Sequence, residues 1–261
     1  MRRVNQKALA IALFFVVAIL GLAFKSTNEK SLVQDPFQKS LAAHGGLDKW
    51  NSYGTLKFDR GTGENAATHI IDLKNRCEKI ISKSNTVGFG PEGFWIQTDD
   101  AKQRESLQRQ RFYRNLWFYF FGLPFVTADP GVNQEVIADG TLDGKTYNRV
   151  KITFGDNVGD APDDQYILWL EPNTGQLAII NYSVTYGKGA ASSEDYNAIV
   201  FNEWQEVDGL IVPKKFTGHI WEDGKLGKER YGFEFSNVSF TTEQPDPSEF
   251  ATPEGAAYLA Y

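Results

Sequence analysis

Cysteine is nearly absent from this sequence, because Cys77 is the single cysteine among 261 residues. An internal disulfide is therefore excluded, and the fold must be held together by its core. A lipid anchor is not expected either, since Phe24 and Lys25 stand where a lipoprotein would carry a cysteine after its apolar run. Cys77 lies in an alternating apolar pattern, which predicts a small buried side chain rather than a reactive thiol.

Excess positive charge is also lacking, with 27 basic against 33 acidic residues, a net charge of −6 and a pI near 5.2. Nucleic-acid binding needs a basic face that releases counterions from phosphates, so no nucleic-acid partner is expected. The three histidines are far apart, and no nucleophile elbow, zinc-protease or phosphate-loop motif occurs. No enzymatic activity, cofactor or metal is predicted, although the acids Glu203 and Glu206 leave glycan hydrolysis as a third alternative.

One acidic loop could suit a cation. Its sequence, GDNVGDAPDDQY, contains Asp156, Asp160, Asp163 and Asp164. Carboxylate oxygens are ligands that calcium prefers, but the spacing does not match an EF-hand. A solvated turn is the favoured interpretation, and cation binding by residues 156–164 stays an open question.

The N-terminus has the composition of an export signal. Three basic residues precede an uncharged apolar run of 17 residues from Ala8 to Phe24, with small residues placed for cleavage after Ala23. That length also allows an uncleaved anchor in the inner membrane. Both interpretations place the chain in the periplasm or envelope, with a signal over 1–23, a polar tether over 24–34 and a single domain over 35–261.

Periodicity predicts an α+β, mostly β fold. Asp35 and Pro36 start a short helix that Gly45 ends. After it, apolar residues alternate in many short runs separated by turns, and Asp-Gly pairs predict hairpins. We expect a curved, antiparallel, unclosed β-barrel of about ten or eleven strands covered by helices, because a wide sheet curls and its concave face needs a cover.

The strongest apolar feature is the stretch LWFYFFGLPF, Leu116–Phe125, with six aromatic rings in ten residues. It ends a predicted helix from about Ala101 to Phe121, whose apolar stripe contains Leu107, Phe112, Leu116 and Phe120. Arg109, Gln110 and Arg114 lie off that stripe. Three roles remain open for this helix: ordinary core, a lid over a hydrophobic ligand, or contact with a membrane surface.

Several segments resemble the LolA/LolB-like superfamily of envelope lipoprotein carriers, in an uncharacterised exported branch. AAHGGLDKWNSYGTLKFD is similar to the family's opening helix and first strand, VDGLIVPKKFTG to a hairpin, and FEFSNVSFTTEQPDPSEFATPEGA to its ending. The resemblance implies an unclosed barrel around an apolar cavity.

The resulting functional hypothesis is non-covalent binding of a lipid or acylated peptide between the sheet and a helix lid hinged at Gly122 and Pro124. Contact with a membrane is a further possibility, and a filled structural barrel without a ligand is the alternative function. The predicted ligand-binding side chains come from the helix, the residues after it and the sheet: Trp95, Phe112, Leu116, Trp117, Phe120, Phe121, Phe125, Trp169 and Tyr182.

Overall fold

The computed structural model describes residues 35–155, 159 and 161–260. The expected signal over 1–23 and tether over 24–34 lie outside the described residues, as do Asp156 and Asp160 of the acidic loop. In the part of the chain that is described, no helix has both the length and the apolar character needed to cross a membrane.

The first helix has the boundaries that its sequence predicts. Helix α1, Pro36–Ala43, begins after Asp35, whose side chain accepts a hydrogen bond from the backbone N–H of Phe37 at 2.9 Å. It is followed by Gly45 at φ +106°, a backbone conformation that favours glycine. Helix α2, Leu47–Ser52, then buries Trp50 to 2 % exposure.

The described residues form one antiparallel sheet of thirteen strands, in the order β13-β5-β4-β3-β2-β1-β12-β11-β10-β9-β8-β7-β6. The strands are β1 Thr55–Arg60, β2 Ala67–Asp72, β3 Glu78–Ser82, β4 Thr86–Gly90, β5 Gly93–Gln97, β6 Val132–Leu142, β7 Lys145–Phe154, β8 Gln165–Leu170, β9 Leu177–Tyr182, β10 Asn197–Val207, β11 Leu210–Glu222, β12 Lys225–Thr241 and β13 Ala257–Ala260. Strand β12 joins the two halves of the sheet by pairing with β1 and with β11. The fold of the described residues is mostly β. Its sheet is unclosed, with β13 at one edge and β6 at the other.

The expected ten or eleven strands are too few. The tail from Pro245 onward contains three prolines, yet it forms a 3₁₀ turn at Pro247–Phe250 and then strand β13. Four residues are enough for this strand because its partner β5 supplies the ladder. Edge strands of this kind depend on a tertiary neighbour, so the local sequence does not reveal them.

Two hairpins that the Asp-Gly pairs predict are confirmed. Strands β10 and β11 are joined at Asp208 and Gly209, and β11 and β12 at Asp223 and Gly224. All four residues have positive φ angles between 50° and 78°. Asp followed by Gly tolerates this conformation in a two-residue turn better than other pairs, so the turns fix the register of the long strands.

The expected single helix over 101–121 is two helices. Helix α3, Ala101–Glu105, is capped by Asp100, and helix α4 spans Leu107–Gly122. Ser106 separates them with φ −106° and ψ 37°, and both its backbone N–H and its hydroxyl donate to the carbonyl of Gln103, at 3.3 Å. Serine competes for backbone groups in this way, which ends the first helix.

His44 joins α1 to the sheet. Its Nε2 accepts a hydrogen bond from the backbone of Leu177 at 3.1 Å, so Nδ1 carries the proton and donates to the carbonyl of Ile211 at 2.9 Å. Burial lowers the pKa of His44 from 6.5 to about 4. The ring is closed off from solvent, so it is neutral at pH 7 and its role is structural.

Candidate functional site

Helix α4 has two halves with different surroundings. The C-terminal half, Leu116–Gly122, and the residues after it enter the main core, where Phe121 stacks on Phe58 at 4.5 Å between ring centroids. Phe235 contacts both rings edge-on, at 5.1 and 5.4 Å. Phe58 and Phe121 are at most 1 % exposed, so this end of the sheet is filled by aromatic side chains.

A cavity of about 350 Å³ lies between α4 and strands β2, β3 and β4. The N-terminal half of the helix, Leu107–Asn115, lines it through Arg111, Arg114 and Asn115, and the next turn adds Phe118 and Tyr119. We call this cavity the α4 cleft. Its walls combine aromatic rings with charged side chains of both signs. The lining residues are Ile71, Arg76, Glu78, Phe89, Arg111, Arg114, Asn115, Phe118, Tyr119, Asp129 and Gly159.

A smaller cavity of about 50 Å³ adjoins the α4 cleft along the neighbouring face of the helix. The two cavities share Asn115, Tyr119 and Gly159. The smaller one is walled mainly by apolar side chains from α4, β7 and β8, with Asp164 at its edge. Its further lining residues are Phe112, Leu116, Phe154, Ala161 and Tyr166.

A buried polar network forms the floor of the α4 cleft. Glu78 Oε2 accepts from Arg114 Nη1 at 3.2 Å, and Glu78 Oε1 lies 3.1 Å from His69 Nδ1. Arg60 Nε donates to His69 Nε2 at 3.4 Å, so the proton of His69 is on Nδ1 and is donated to Glu78. The side chains of His69, Glu78 and Arg114 are 0 %, 3 % and 6 % exposed. Each of these side chains has a hydrogen-bond partner in the network, which compensates for its burial and ties α4 to β1, β2 and β3.

Burial sets the protonation states in this network. It lowers the pKa of His69, although Glu78 opposes the shift, so His69 is neutral at pH 7. Burial also lowers the pKa of Arg60 to about 10, which still leaves the guanidinium charged. The floor therefore holds two cations and one carboxylate. Arg60 is further stabilised by the ring of Trp117, whose centroid is 4.2 Å from the guanidinium carbon.

The mouth of the α4 cleft carries a second ion pair. Arg76 Nη2 donates to both oxygens of Asp129, at 2.6 and 2.7 Å. The two side chains are 35 % and 28 % exposed, so this pair reaches solvent. Arg76 also lies 5.2 Å from the ring centroid of Phe118, and Arg114 lies 3.7 Å from that of Phe89. These rings hold the guanidinium groups against the cleft walls.

Two of the predicted ligand-binding residues from the helix line a cavity, and the others pack elsewhere. Phe112 and Leu116 line the smaller one. Trp117 packs on Arg60 and on Phe233, while Phe120 packs edge-on to Tyr182 at 5.0 Å. Phe121 and Phe125 are fully buried in the core and line neither cavity.

Two tryptophans predicted beside them lie on the opposite face of the sheet. The ring of Trp95 points away from its core neighbours Phe94 and Ile96, and its Nε1 donates to the carbonyl of Phe250 at 2.9 Å. Trp169 belongs to a separate cluster with Tyr147 and Trp221. The prediction that Trp95 and Trp169 lie beside the helix is therefore wrong. Both faces of β5 and β8 are covered, and the alternation of side chains along a strand does not say which face meets the helix.

The charged lining of the α4 cleft was missed by the sequence prediction, which only noted that Arg114 lies off the apolar stripe of the helix. Arg111, Arg114, Asn115 and Phe118 follow the spacing i, i+3, i+4, i+7 of one helix face. That spacing could have predicted that these side chains share one face of the helix. A search for apolar residues misses it, because three of the four side chains are polar. Arg76 and Asp129 are 53 residues apart, and their pairing follows from the fold alone.

Other predicted features are placed less favourably. Gly122 is buried, and an added Cβ would lie 2.6 Å from Val126, so close packing opposes a hinge at this end of α4.

The acidic residues singled out by the sequence have structural partners. Glu203 pairs with Lys214 at 2.9 Å, and that bond lowers the pKa of its carboxyl, the opposite of what a general acid needs. Among the described residues, no group of three histidine, cysteine or acidic side chains could hold a metal ion. Asp164 of the acidic loop is buried and accepts from the backbone of Thr185 at 2.6 Å.

Residues 94–228, which include the whole of α4, match a family of unknown function, DUF6503. The chain belongs to the DUF6503 family. Arg76, in the turn between β2 and β3, and Glu78, at the start of β3, lie before the matched residues. A comparison with curated proteins finds no match.

Solved structures with a similar fold include a LolA superfamily protein from Nitrosomonas europaea, as the sequence resemblance predicts. It is 8 % identical, the alignment covers 82 % of this chain and 97 % of that one, and the TM-score is 0.46. A DUF1329 family protein from Desulfovibrio piger is 10 % identical, with coverage of 79 % and 94 % and a TM-score of 0.39. At these identities and TM-scores, the function of the DUF6503 chain has to be argued from the α4 cleft itself.

Proposed function

We propose that this protein binds a lipid or an acylated peptide non-covalently in the α4 cleft and the smaller cavity beside it, in the cell envelope. The observation that supports this proposal most strongly is the cavity of about 350 Å³ beside the N-terminal half of α4. It lies in a molecule whose main core is filled by aromatic rings. Its size falls within the range of about 300 to 1,000 Å³ typical of small-molecule sites.

The walls suit an apolar chain. Phe89, Phe118 and Tyr119 line the larger cavity, and Phe112 and Leu116 continue the apolar surface past the helix. Each methylene that leaves water for such a surface contributes roughly 0.8 kcal/mol, less the cost of ordering the chain. Several methylenes therefore provide enough free energy for reversible binding, and we propose binding without catalysis.

Filling the cavities tests this proposal. Asn115 lines both of them and is half-buried, so the substitution Asn115→Trp places an indole where the ligand would lie. The matched control is Gln108→Trp, which adds the same ring on the exposed side of α4. We expect the purified full chain to bind a fluorescent fatty acid, Asn115→Trp to bind it at least tenfold more weakly, and Gln108→Trp to bind it like the parent.

Thermal unfolding of both variants checks that the fold is retained. The proposal is wrong if the parent chain takes up no fluorescent fatty acid, or if Asn115→Trp binds as tightly as Gln108→Trp. Native mass spectrometry of the chain isolated from its own cells, followed by organic extraction, then identifies the class of the bound molecule.

A filled structural protein without a ligand is the second candidate function. The packed rings of Phe58, Phe121 and Phe235 favour it, because they fill the core beside the last turn of α4. It predicts that the α4 cleft holds water alone and that the Asn115→Trp variant has no effect on any binding assay.

A further inference from the structure

We propose that the α4 cleft recognises an anionic head group, a carboxylate or a phosphate, and that Arg76 is the residue that binds it. This inference rests on the proposed function and narrows it: the ligand is an amphiphile with an apolar chain and a terminal oxyanion. The chain would lie against the aromatic walls, and the oxyanion would meet Arg76 at the mouth.

The hydrogen bonds of Arg76 are the first observation. Its Nη2 is committed to Asp129, to which it donates at 2.6 and 2.7 Å. Its Nη1 is buried and has no hydrogen-bond partner among the described residues. A buried donor without an acceptor costs free energy, whereas an oxyanion in the cleft would satisfy it with a charge-assisted hydrogen bond.

The backbone of Arg76 is the second observation. Arg76 has φ +58°, in the left-handed region that favours glycine or asparagine. The turn is fixed by Asp72, whose side chain accepts from the backbone N–H groups of Lys74 and Asn75 at 2.8 and 3.0 Å. The turn itself gives no reason for an arginine, and the contacts with Asp129 and Phe118 hold the Arg76 side chain at the cleft.

The surrounding charges support the same ligand. Arg111 and Arg114 line the cavity with Arg76, and the lining carboxylates are Glu78 and Asp129. Arg114 is held in place by Glu78 at 3.2 Å and by the ring of Phe89. Guanidinium groups fixed by rings and carboxylates are preorganised for a planar or tetrahedral oxyanion, so little ordering is required on binding.

The test compares ligands that differ only at the head. Palmitate, lysophosphatidic acid and the uncharged hexadecanol are titrated against the full chain by displacement of a fluorescent fatty acid probe. We expect both anionic ligands to bind at least tenfold more tightly than hexadecanol. Inorganic phosphate at millimolar concentration should not displace the probe, because it lacks the apolar chain.

Three variants locate the effect. Arg76→Gln should abolish the preference for palmitate over hexadecanol while leaving the affinity for hexadecanol unchanged, and Arg76→Lys should restore part of the preference. Arg109→Gln removes the same charge from the exposed side of α4 and should behave like the parent chain.

The outcomes separate the two proposals. Equal binding of palmitate and hexadecanol, or an unchanged preference in Arg76→Gln, overturns the anion site and leaves lipid binding intact. Displacement of the probe by inorganic phosphate contradicts the proposal that the ligand is an amphiphile and indicates a free anion instead. Failure of every chain-bearing ligand overturns the proposed function together with this inference.

Discussion

The two halves of helix α4 belong to one continuous helix but meet different environments. The C-terminal half carries Phe120 and Phe121 into a packed aromatic core, while the N-terminal half carries Arg111 and Arg114 to the wall of a cavity. Aromatic rings at the core end are fixed by other rings. Arginines at the cleft end are fixed by carboxylates and rings. The comparison shows that one helix can act both as core and as cavity wall.

Phe121→Ala, in the C-terminal half of α4, should cause the largest loss of stability. Phe121 is 0 % exposed and stacks on Phe58 at 4.5 Å, so truncation leaves a cavity that its neighbours fill only partly. We expect a loss of about 4 kcal/mol in the free energy of unfolding, measured by urea titration. Tyr113→Ala, on the exposed side of the other half, should change it by about 0.5 kcal/mol or less.

Similar losses for Phe121→Ala and Tyr113→Ala would break the comparison, because both halves of α4 would then contribute alike to the core.

Acid should weaken the core end through His44, whose ring packs edge-on against Phe125 just after α4. The pKa of His44 is lowered from 6.5 to about 4 in the folded chain, so the unfolded chain takes up this proton first as the pH falls. Stability is therefore lost between pH 6.5 and pH 4, by about 3 kcal/mol from this residue. Urea unfolding at pH 7, 5.5 and 4 measures the loss.

The variant His44→Gln can still donate to Ile211 and accept from Leu177, but it cannot take up the proton. We expect its loss of stability between pH 6.5 and pH 4 to be smaller by about 3 kcal/mol. Part of the acid sensitivity should persist, because His69 at the cleft end also has a lowered pKa. Identical pH profiles for the parent chain and the variant would contradict this assignment.

Local signals predicted much of the fold. Asp35, Pro36 and Gly45 defined α1, the Asp-Gly pairs defined hairpins, and the spacing of Phe112, Leu116 and Phe120 indicated an inward-facing helix. Each of these signals acts over a few residues, through capping, turn geometry or helical periodicity. The break at Ser106 and the strand β13 escaped prediction because they depend on a single backbone interaction and on a distant partner.

The site was harder to predict than the fold. Trp95 and Trp169 were expected beside the helix, but the C-terminal segment covers one and other strands' side chains surround the second. Arg76, Glu78 and Asp129 meet Arg114 only after the strands have paired. The side chains that define the cleft are therefore brought together by tertiary structure, which a search for apolar residues at helical spacing does not detect.

Hydrogen exchange along α4 tests the contrast between its halves most directly. In the full chain without added ligand, we expect slow amide exchange over Leu116–Gly122 and faster exchange over Leu107–Asn115, because fewer buried contacts hold the latter. Palmitate should slow exchange over Leu107–Asn115 at least tenfold and leave Phe120–Gly122, which lines neither cavity, unchanged. Uniform exchange along the helix that palmitate does not alter would contradict the division of α4 into a core half and a ligand-binding half.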